Sequence, residues 1–407
     1  MGRWIAPWAW LLLALLPTGC GSPSDDSPPI RIGHLTETHN WDGHRARDAV
    51  RLLVHQTNAQ GGLELADGRR RIELFEIETG RSPENASAAT LELINRDRVS
   101  AIVGPYRSDM AIPAGGTANR AGVVLVTPTS SHPATTADRP FVFRANFVDP
   151  VQAAVLVRFA TRGLDARRVA ILFDATRPYN RNLAGLFRDA AEARGLEVVA
   201  EETYEYGETR FRPAMARIAA AAPDVLFLPN FLEDLVRQAR AAQDAGLDAR
   251  LLGSDSWNAT AMPLDDSFEG ACFSQSWHLG IAPSTPSGPD FVADFRAWSG
   301  QEPTDTAALA WDGAQLILAA IVAAGNDEPG AIRDALAELG PFEGVTGELE
   351  FRGHGDPHRT VHIFCVHDGR VERVESVPPQ AQLDGTLAPP PTPSATEDPT
   401  SDLEGES

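Results

Sequence analysis

Hydrophobic residues recur along the chain in two alternating rhythms. Short apolar runs at Ile30–Gly33, Arg71–Ile77, Val99–Val103, Val123–Val126, Val169–Phe173 and Val225–Leu228 have the length and β-branched content of buried strands. Between them the apolar positions are spaced by three and four. Ala46, Ala49, Val50, Leu53 and Val54 form one such stripe, Leu183, Leu186, Phe187, Ala190 and Ala191 a second, and Leu232, Leu235, Val236 and Ala239 a third. Turn chemistry separates the two rhythms: Asn58-Ala59-Gln60-Gly61-Gly62 stops the first helix, and Ser82 before Pro83 opens the next. Strands alternating with helices predict an α/β fold of parallel sheets covered on both faces. Recurrence of the unit after residue 165 predicts two Rossmann-like lobes.

The two ends depart from this pattern. An apolar run from Trp4 to Leu16, preceded by Arg3, is short for a membrane span and has the form of an export signal over residues 1–19. Leu16-Pro17-Thr18-Gly19-Cys20 resembles the lipobox of bacterial lipoproteins, with Pro17 where Leu is usual. That resemblance implies a lipid on Cys20 and a polar tether over residues 20–29. Residues 378–407 are rich in Pro, Thr and Ser and carry six carboxylates and no base, so a disordered acidic tail is expected there.

Composition narrows the function. The 407 residues hold 35 basic side chains, all of them arginine, against 56 acidic ones, for a net charge of −21. Nucleic-acid binding needs clustered cations and is excluded. Most of the negative charge stays on the body when the tail is set aside, which disfavours a strongly anionic ligand unless Arg107 faces the cleft. In parallel sheets ligands bind beyond the carboxyl ends of the strands. The candidate segments are therefore Thr36–Trp41, Gly104–Ser108, Thr127–Ser131, Asp174–Tyr179, Asn230-Phe231 and Gly253–Trp257. They are rich in hydroxyls and aromatics and contain no dinucleotide fingerprint, phosphate loop or nucleophile elbow. Ser131 and His132 are adjacent, but neighbours in an extended segment point apart, so they make a poor nucleophile and base.

Seven pieces in order carry a resemblance over nearly all of residues 30–377. They are Asn58–Gly62, Ile102-Val103-Gly104-Pro105, Val126–Pro133, Phe141–Arg144, Leu172-Phe173-Asp174 with Tyr179, Gly253-Ser254-Asp255, and Gly344–Gly347 before Leu349-Glu350-Phe351. With these the chain resembles the type I periplasmic binding proteins, the leucine/isoleucine/valine-binding receptors of ABC importers. The resemblance implies three crossings between lobes, with residues 30–148 plus 279–340 in one and 149–278 plus 341–377 in the other.

It also implies a site. Ser108, at the start of a helix, and Ser131 would hold an amino acid's carboxylate, with Thr129 offering backbone groups. Tyr179 and Phe231 would close over the ligand, and Asp255 would receive its ammonium. Trp41 is either a wall of the pocket or a hydrophobic staple, and Arg107 either meets a second carboxylate or points into solvent. The loop Thr36–Trp41 lacks the family's usual Pro-Leu-Thr-Gly run and adds Glu37 and His39, which makes branched-chain specificity doubtful. His354, Asp356, His358 and His362 fall around a hairpin turn of the family, so no metal or other cofactor is expected. With Cys20 lipidated, Cys272 and Cys365 remain in strand-like stretches beyond an oxidising membrane, where a disulfide is expected and two free thiols are the alternative.

The expected function is thus a monomeric, lipid-anchored receptor in the cell envelope, not an enzyme, that delivers a small polar solute to an ABC permease. The alternative is a sensor or a regulator of an envelope enzyme on the same fold.

Overall fold

A computed structural model describes residues 28–379 apart from Asn40 and Asp67. The export signal, Cys20, most of the tether and nearly all of the acidic tail lie outside the described residues.

Five strands form a wholly parallel sheet in the order Ile72–Glu78, Ile30–Thr36, Ala101–Val103, Val124–Thr127, Val142–Arg144. Its core strands carry few polar positions, as expected where helices cover both faces. Local chemistry sets the helix ends. Ser82 caps the helix Pro83–Asn95 by accepting the Asn85 amide, with Pro83 in the first turn. Thr304 caps Asp305–Ala324 by accepting the Ala307 amide, and Gly325 ends it at φ 69°. This last helix is apolar and long enough to cross a bilayer, yet 72% of its apolar window is buried. It packs against Trp41–Ala59 and the strands of the first sheet, as a core helix.

The second sheet has seven strands in the order Arg370–Val377, Val361–His367, Cys272–Gln275, Arg250–Gly253, Val225–Leu228, Arg168–Asp174, Glu197–Tyr204. The last five are parallel, whereas Val361–His367 runs antiparallel to both of its neighbours. Both sheets are thus built on parallel strands as expected, with an antiparallel pair of strands added at one edge of the second. A two-residue turn at Asp368-Gly369 permits the antiparallel return, which a parallel crossover could not make. Cys272 and Cys365 are paired residues across this junction and form a disulfide.

The chain passes from the first sheet to the second, back to the first through helix Asp305–Ala324, and again to the second. A small antiparallel sheet, Phe342–Gly344, Gly347–Glu350 and His358–Arg359, lies along the last crossing. Two buried arginines tie the crossings together. Arg144 bonds to Asp356 at 2.6 Å and to the Ser130 and His132 carbonyls, while Arg359 donates to the carbonyls of Ala145 and Thr346. Asp312 accepts the Val345 and Thr346 amides at 2.8 and 2.9 Å. Among the described residues no cluster of His, Cys, Asp and Glu has the arrangement of a metal site.

Candidate functional site

The carboxyl ends of the two sets of parallel strands meet around a cavity of about 570 Å³, within the range of small-molecule sites. From the first sheet come Glu37, His39, Tyr106, Arg107, Ser108 and Thr129; from the second, Tyr179, Phe231, Glu233, Asp255 and Gln275. Asp42, Asp305 and Thr306, at the starts of two helices, also line it.

Two glycines bring the loops in. A side chain on Gly104, at φ 85°, would lie 2.3 Å from the Leu35 carbonyl oxygen, so only glycine lets this strand end close against its neighbour. At Gly253 the Trp257 indole occupies the space of a Cβ, at 2.1 Å, and folds the Ser254–Ser256 turn toward the cavity.

Asp255 is the best-supported side chain of the second wall. Its carboxylate accepts from the Tyr179 hydroxyl at 2.6 Å, from Asn146 Nδ2 at 2.7 Å and from Gln152 Nε2 at 3.0 Å. Gln152 holds it from both sides, since its carbonyl oxygen accepts the Asp255 amide at 3.0 Å. Burial raises the carboxyl's pKa, opposed by these hydrogen bonds. Asn146 also donates to the Thr129 carbonyl at 3.1 Å and accepts from Ser276 at 2.6 Å, and so joins loops of both sheets.

On the first wall Ser108 begins the helix Ser108–Ala121, whose leading N–H groups lack intrahelical partners and favour negative charge. The Ser130 hydroxyl donates to Ser108 Oγ at 2.9 Å, leaving the Ser108 proton to donate elsewhere. Thr129 uses its hydroxyl on the Tyr106 carbonyl at 2.8 Å.

Arg107 neither enters the cavity as a free cation nor extends into solvent. Its guanidinium lies 4.0 Å above the Phe231 ring and 3.1 Å from Glu233, both on the far wall. Arg177 meets the same two residues from the second sheet, at 4.9 Å from the ring centre and 3.4 Å from the carboxylate. Phe231 in turn contacts Tyr179, with ring centres 5.5 Å apart.

Six of the expected site residues are thus brought together: Arg107, Ser108, Thr129, Tyr179, Phe231 and Asp255. Ser131 is buried but is not part of the cavity wall. Its carbonyl accepts the Asp149 amide at 2.9 Å and its hydroxyl lies against the Asp149 carboxyl, because the loop turns there into helix Asp149–Gly163. Burial and the nearby Asp255 charge push Asp149 up to about 7. Trp41 opens the helix Trp41–Ala59, and its side chain lies outside what the structure describes.

Sequence reasoning did not find Gln152 and Asn146, which read as ordinary helix and linker residues, nor the role of Glu37. Glu37 is buried, and its Oε1 accepts the amides of Tyr106 and Arg107 at 2.7 and 3.1 Å. Its Oε2 has no partner among the described residues. Burial raises this carboxyl to about 7, with Arg107 opposing and Asp109 adding to the rise. Beneath it, buried His34 fixes Tyr106, with Nε2 2.6 Å from the phenol oxygen and Nδ1 3.0 Å from Glu76.

Residues 29–370 match the family described as "Periplasmic binding protein". A Leu/Ile/Val-binding protein homolog 2 of Brucella abortus is 26% identical over 360 residues, 87% of this chain and 93% of that protein. Among solved structures, the branched-chain amino acid transporter binding protein LivJ of Streptococcus pneumoniae, in complex with isoleucine, matches with a TM-score of 0.77 and 27% identity. The match covers 86% of this chain and 99% of LivJ. The leucine-binding protein LivK of Thermotoga maritima matches with a TM-score of 0.78 at 24% identity, over 86% and 99% of the two chains.

Proposed function

Because the chain belongs to the periplasmic binding protein family, we propose that it is a receptor that captures an amino acid or related small polar solute and delivers it to an ABC permease. Membership implies an exported envelope protein and a solute-binding role; the anchor, in this reading, is a lipid on Cys20. The moving bodies are residues 30–148 with 279–340, and 149–278 with 341–377. Asn146, bonded to loops of both sheets, supports a hinge at their boundary.

The observation that carries the reading is the placement of Asp255 and Ser108 on opposite walls of one cavity. Closure is favoured only if the closed form gains ligand contacts from both sides. Asp255, held in place by three donors, offers an acceptor for an ammonium, with the Tyr179 and Phe231 rings beside it. Ser108 and the helix start behind it offer donors to the other end of the solute. Arg107, reaching across to Phe231 and Glu233, adds to the closed form.

A thermal-shift screen of amino acids, short peptides, amides and carboxylates tests this. A solute present at 100 times its Kd stabilises the native protein by about 2.7 kcal/mol. In Asp255→Asn the loss of a charged acceptor, about 1.5–3 kcal/mol, is expected to weaken binding roughly 10- to 100-fold. A folded protein that responds to no member of the screen would remove the receptor reading.

A further inference from the structure

Three guanidiniums line one end of the cavity with too few acceptors between them. Arg107 and Arg177 meet over the Phe231 ring and share Glu233, at 3.1 and 3.4 Å. Arg177 has a second acid, buried Asp174, at 3.4 Å, whereas Arg107 has none among the described residues. Arg81 pairs with no carboxylate among them; it donates to the hydroxyl of exposed Tyr206 at 3.2 Å, and Arg177 lies 4.4 Å above the same ring. The side chains of Arg107 and Arg177 are only 17% and 13% exposed, and a charge so far removed from water is costly unless it is hydrogen-bonded. Yet Arg107 Nη1 and Arg177 Nη2 donate to nothing among the described residues. Unlike Arg107 Nε, which is sealed, both are within reach of solvent.

The other end of the cavity has the opposite sign. Asp255 is joined there by Asp42, which accepts from the Thr304 and Thr306 hydroxyls, and by Asp305, which accepts the Trp277 amide. The Tyr179 and Phe231 rings stand between the two ends, Tyr179 bonded to Asp255 and Phe231 stacked under Arg107. A side chain leading from an ammonium on Asp255 past these rings ends among the guanidiniums. An apolar terminus there leaves their N–H groups unpaired, whereas a carboxylate matches the fork of a guanidinium in charge and shape. Glu233 does not block that exchange, because it is exposed in the first turn of helix Leu232–Asp244 and a solute carboxylate can join or displace it.

We propose that the solute is an α-amino dicarboxylate, with its ammonium on Asp255, its α-carboxylate at Ser108 and its side-chain carboxylate on Arg107 and Arg177. This rests on the receptor reading and narrows it from small polar solutes to acidic amino acids. Arg81, further out beside Tyr206, adds attraction for the incoming anion.

The test is isothermal titration calorimetry of the native protein with L-glutamate, L-2-aminoadipate, L-glutamine and L-leucine. Glutamine has the shape of glutamate without its side-chain charge. Glutamate or aminoadipate is expected to bind at least about tenfold tighter than glutamine and leucine. Arg177→Gln removes a guanidinium whose contacts, to Asp174, Tyr206, Phe231 and Glu233, all lie at the second wall, so the Arg107 contacts across the cavity stay. It is expected to lower the ratio of the favoured dicarboxylate's affinity to that of glutamine at least about fivefold, a ratio that a general change in folding or closure does not move. If Arg177→Gln fails to fold, the ranking of the four probes on the native protein decides alone.

A smaller advantage of both dicarboxylates on the native protein, or a smaller change of the ratio in a folded Arg177→Gln, overturns the proposal. Should glutamine or leucine bind without that advantage, and Asp255→Asn abolish the binding, the receptor reading stands while this inference falls. Should no probe bind, this inference falls, and the wider solute screen decides the receptor reading.

Discussion

The buried Glu37 carboxyl makes stability depend on pH in a way that one substitution isolates. Its pKa is raised from 4.5 to about 7, chiefly by burial. The folded protein therefore holds this proton more tightly than the unfolded chain does. The associated stability is fully present below pH 4.5 and is lost as the pH rises through 7. At about 1.4 kcal/mol for each tenfold change in proton affinity, the loss is about 3 kcal/mol by pH 8. For a body of this size that corresponds to roughly 4 °C in melting temperature.

The wild-type profile alone does not isolate the effect. Burial lowers His132, His278 and His362 to about 4, and these groups make stability rise with pH between about 4 and 6.5. Asp149, at about 7, slopes the same way as Glu37. All of these are common to wild type and Glu37→Gln, so they cancel in the difference. Calorimetric melting of both proteins at pH 5, 6, 7 and 8 should give curves that diverge with pH, the Gln variant gaining about 2.5 kcal/mol relative to wild type between pH 5 and 8. A difference that stays flat from pH 5 to 8, or that shrinks, would refute the reasoning.

Two further outcomes follow from the contacts. Glu233 is 45% exposed, so its ion pair with Arg107 contributes little, and stacking over Phe231 supplies most of what the Arg107 side chain contributes across the cavity. Arg107→Ala should therefore disfavour the closed form by about 1–2 kcal/mol, read as a 5- to 30-fold weaker Kd and a larger radius of gyration in solution scattering. The disulfide closes a segment with a sequence separation of 93, for which chain entropy gives about 4–5 kcal/mol. The double variant Cys272→Ser, Cys365→Ser should melt several degrees lower, with unchanged melting on reduction; equal melting of the two oxidised proteins would count against the bond.

The strands and helices were largely legible because each writes its own period. Val225–Leu228 falls where its apolar run lies, and Ser82-Pro83 starts its helix as read. Strands ended later than their apolar runs in places, as at Thr36 and Thr127, because a threonine at a sheet end still pairs through its backbone. The strand-end rule also located most of the cavity wall. What it missed depends on partners far apart in sequence. Gln152 lies in a helix, and its contact appears only when the Asp255 turn folds onto it; Glu37 falls in a candidate loop, but its burial appears only when the Tyr106 and Arg107 amides close on it. No spacing rule encodes either contact. Ser131 failed as a wall residue for the related reason that its neighbour is Asp149, set by where the next helix starts.

The order of strands in the second sheet also dictates when that sheet can be finished. All five strands of the first sheet lie within residues 30–144, so it has its full complement early in synthesis. In the second, Cys272–Gln275 remains an open edge until Val361–His367 has been made, and all four of its residues are buried in the finished protein. For that interval the chain displays an unpaired strand edge, the template on which chains mispair. Cys272 stands directly across from Cys365 in the final register. Oxidation of that pair therefore locks the last-made strand in the one alignment the finished sheet uses.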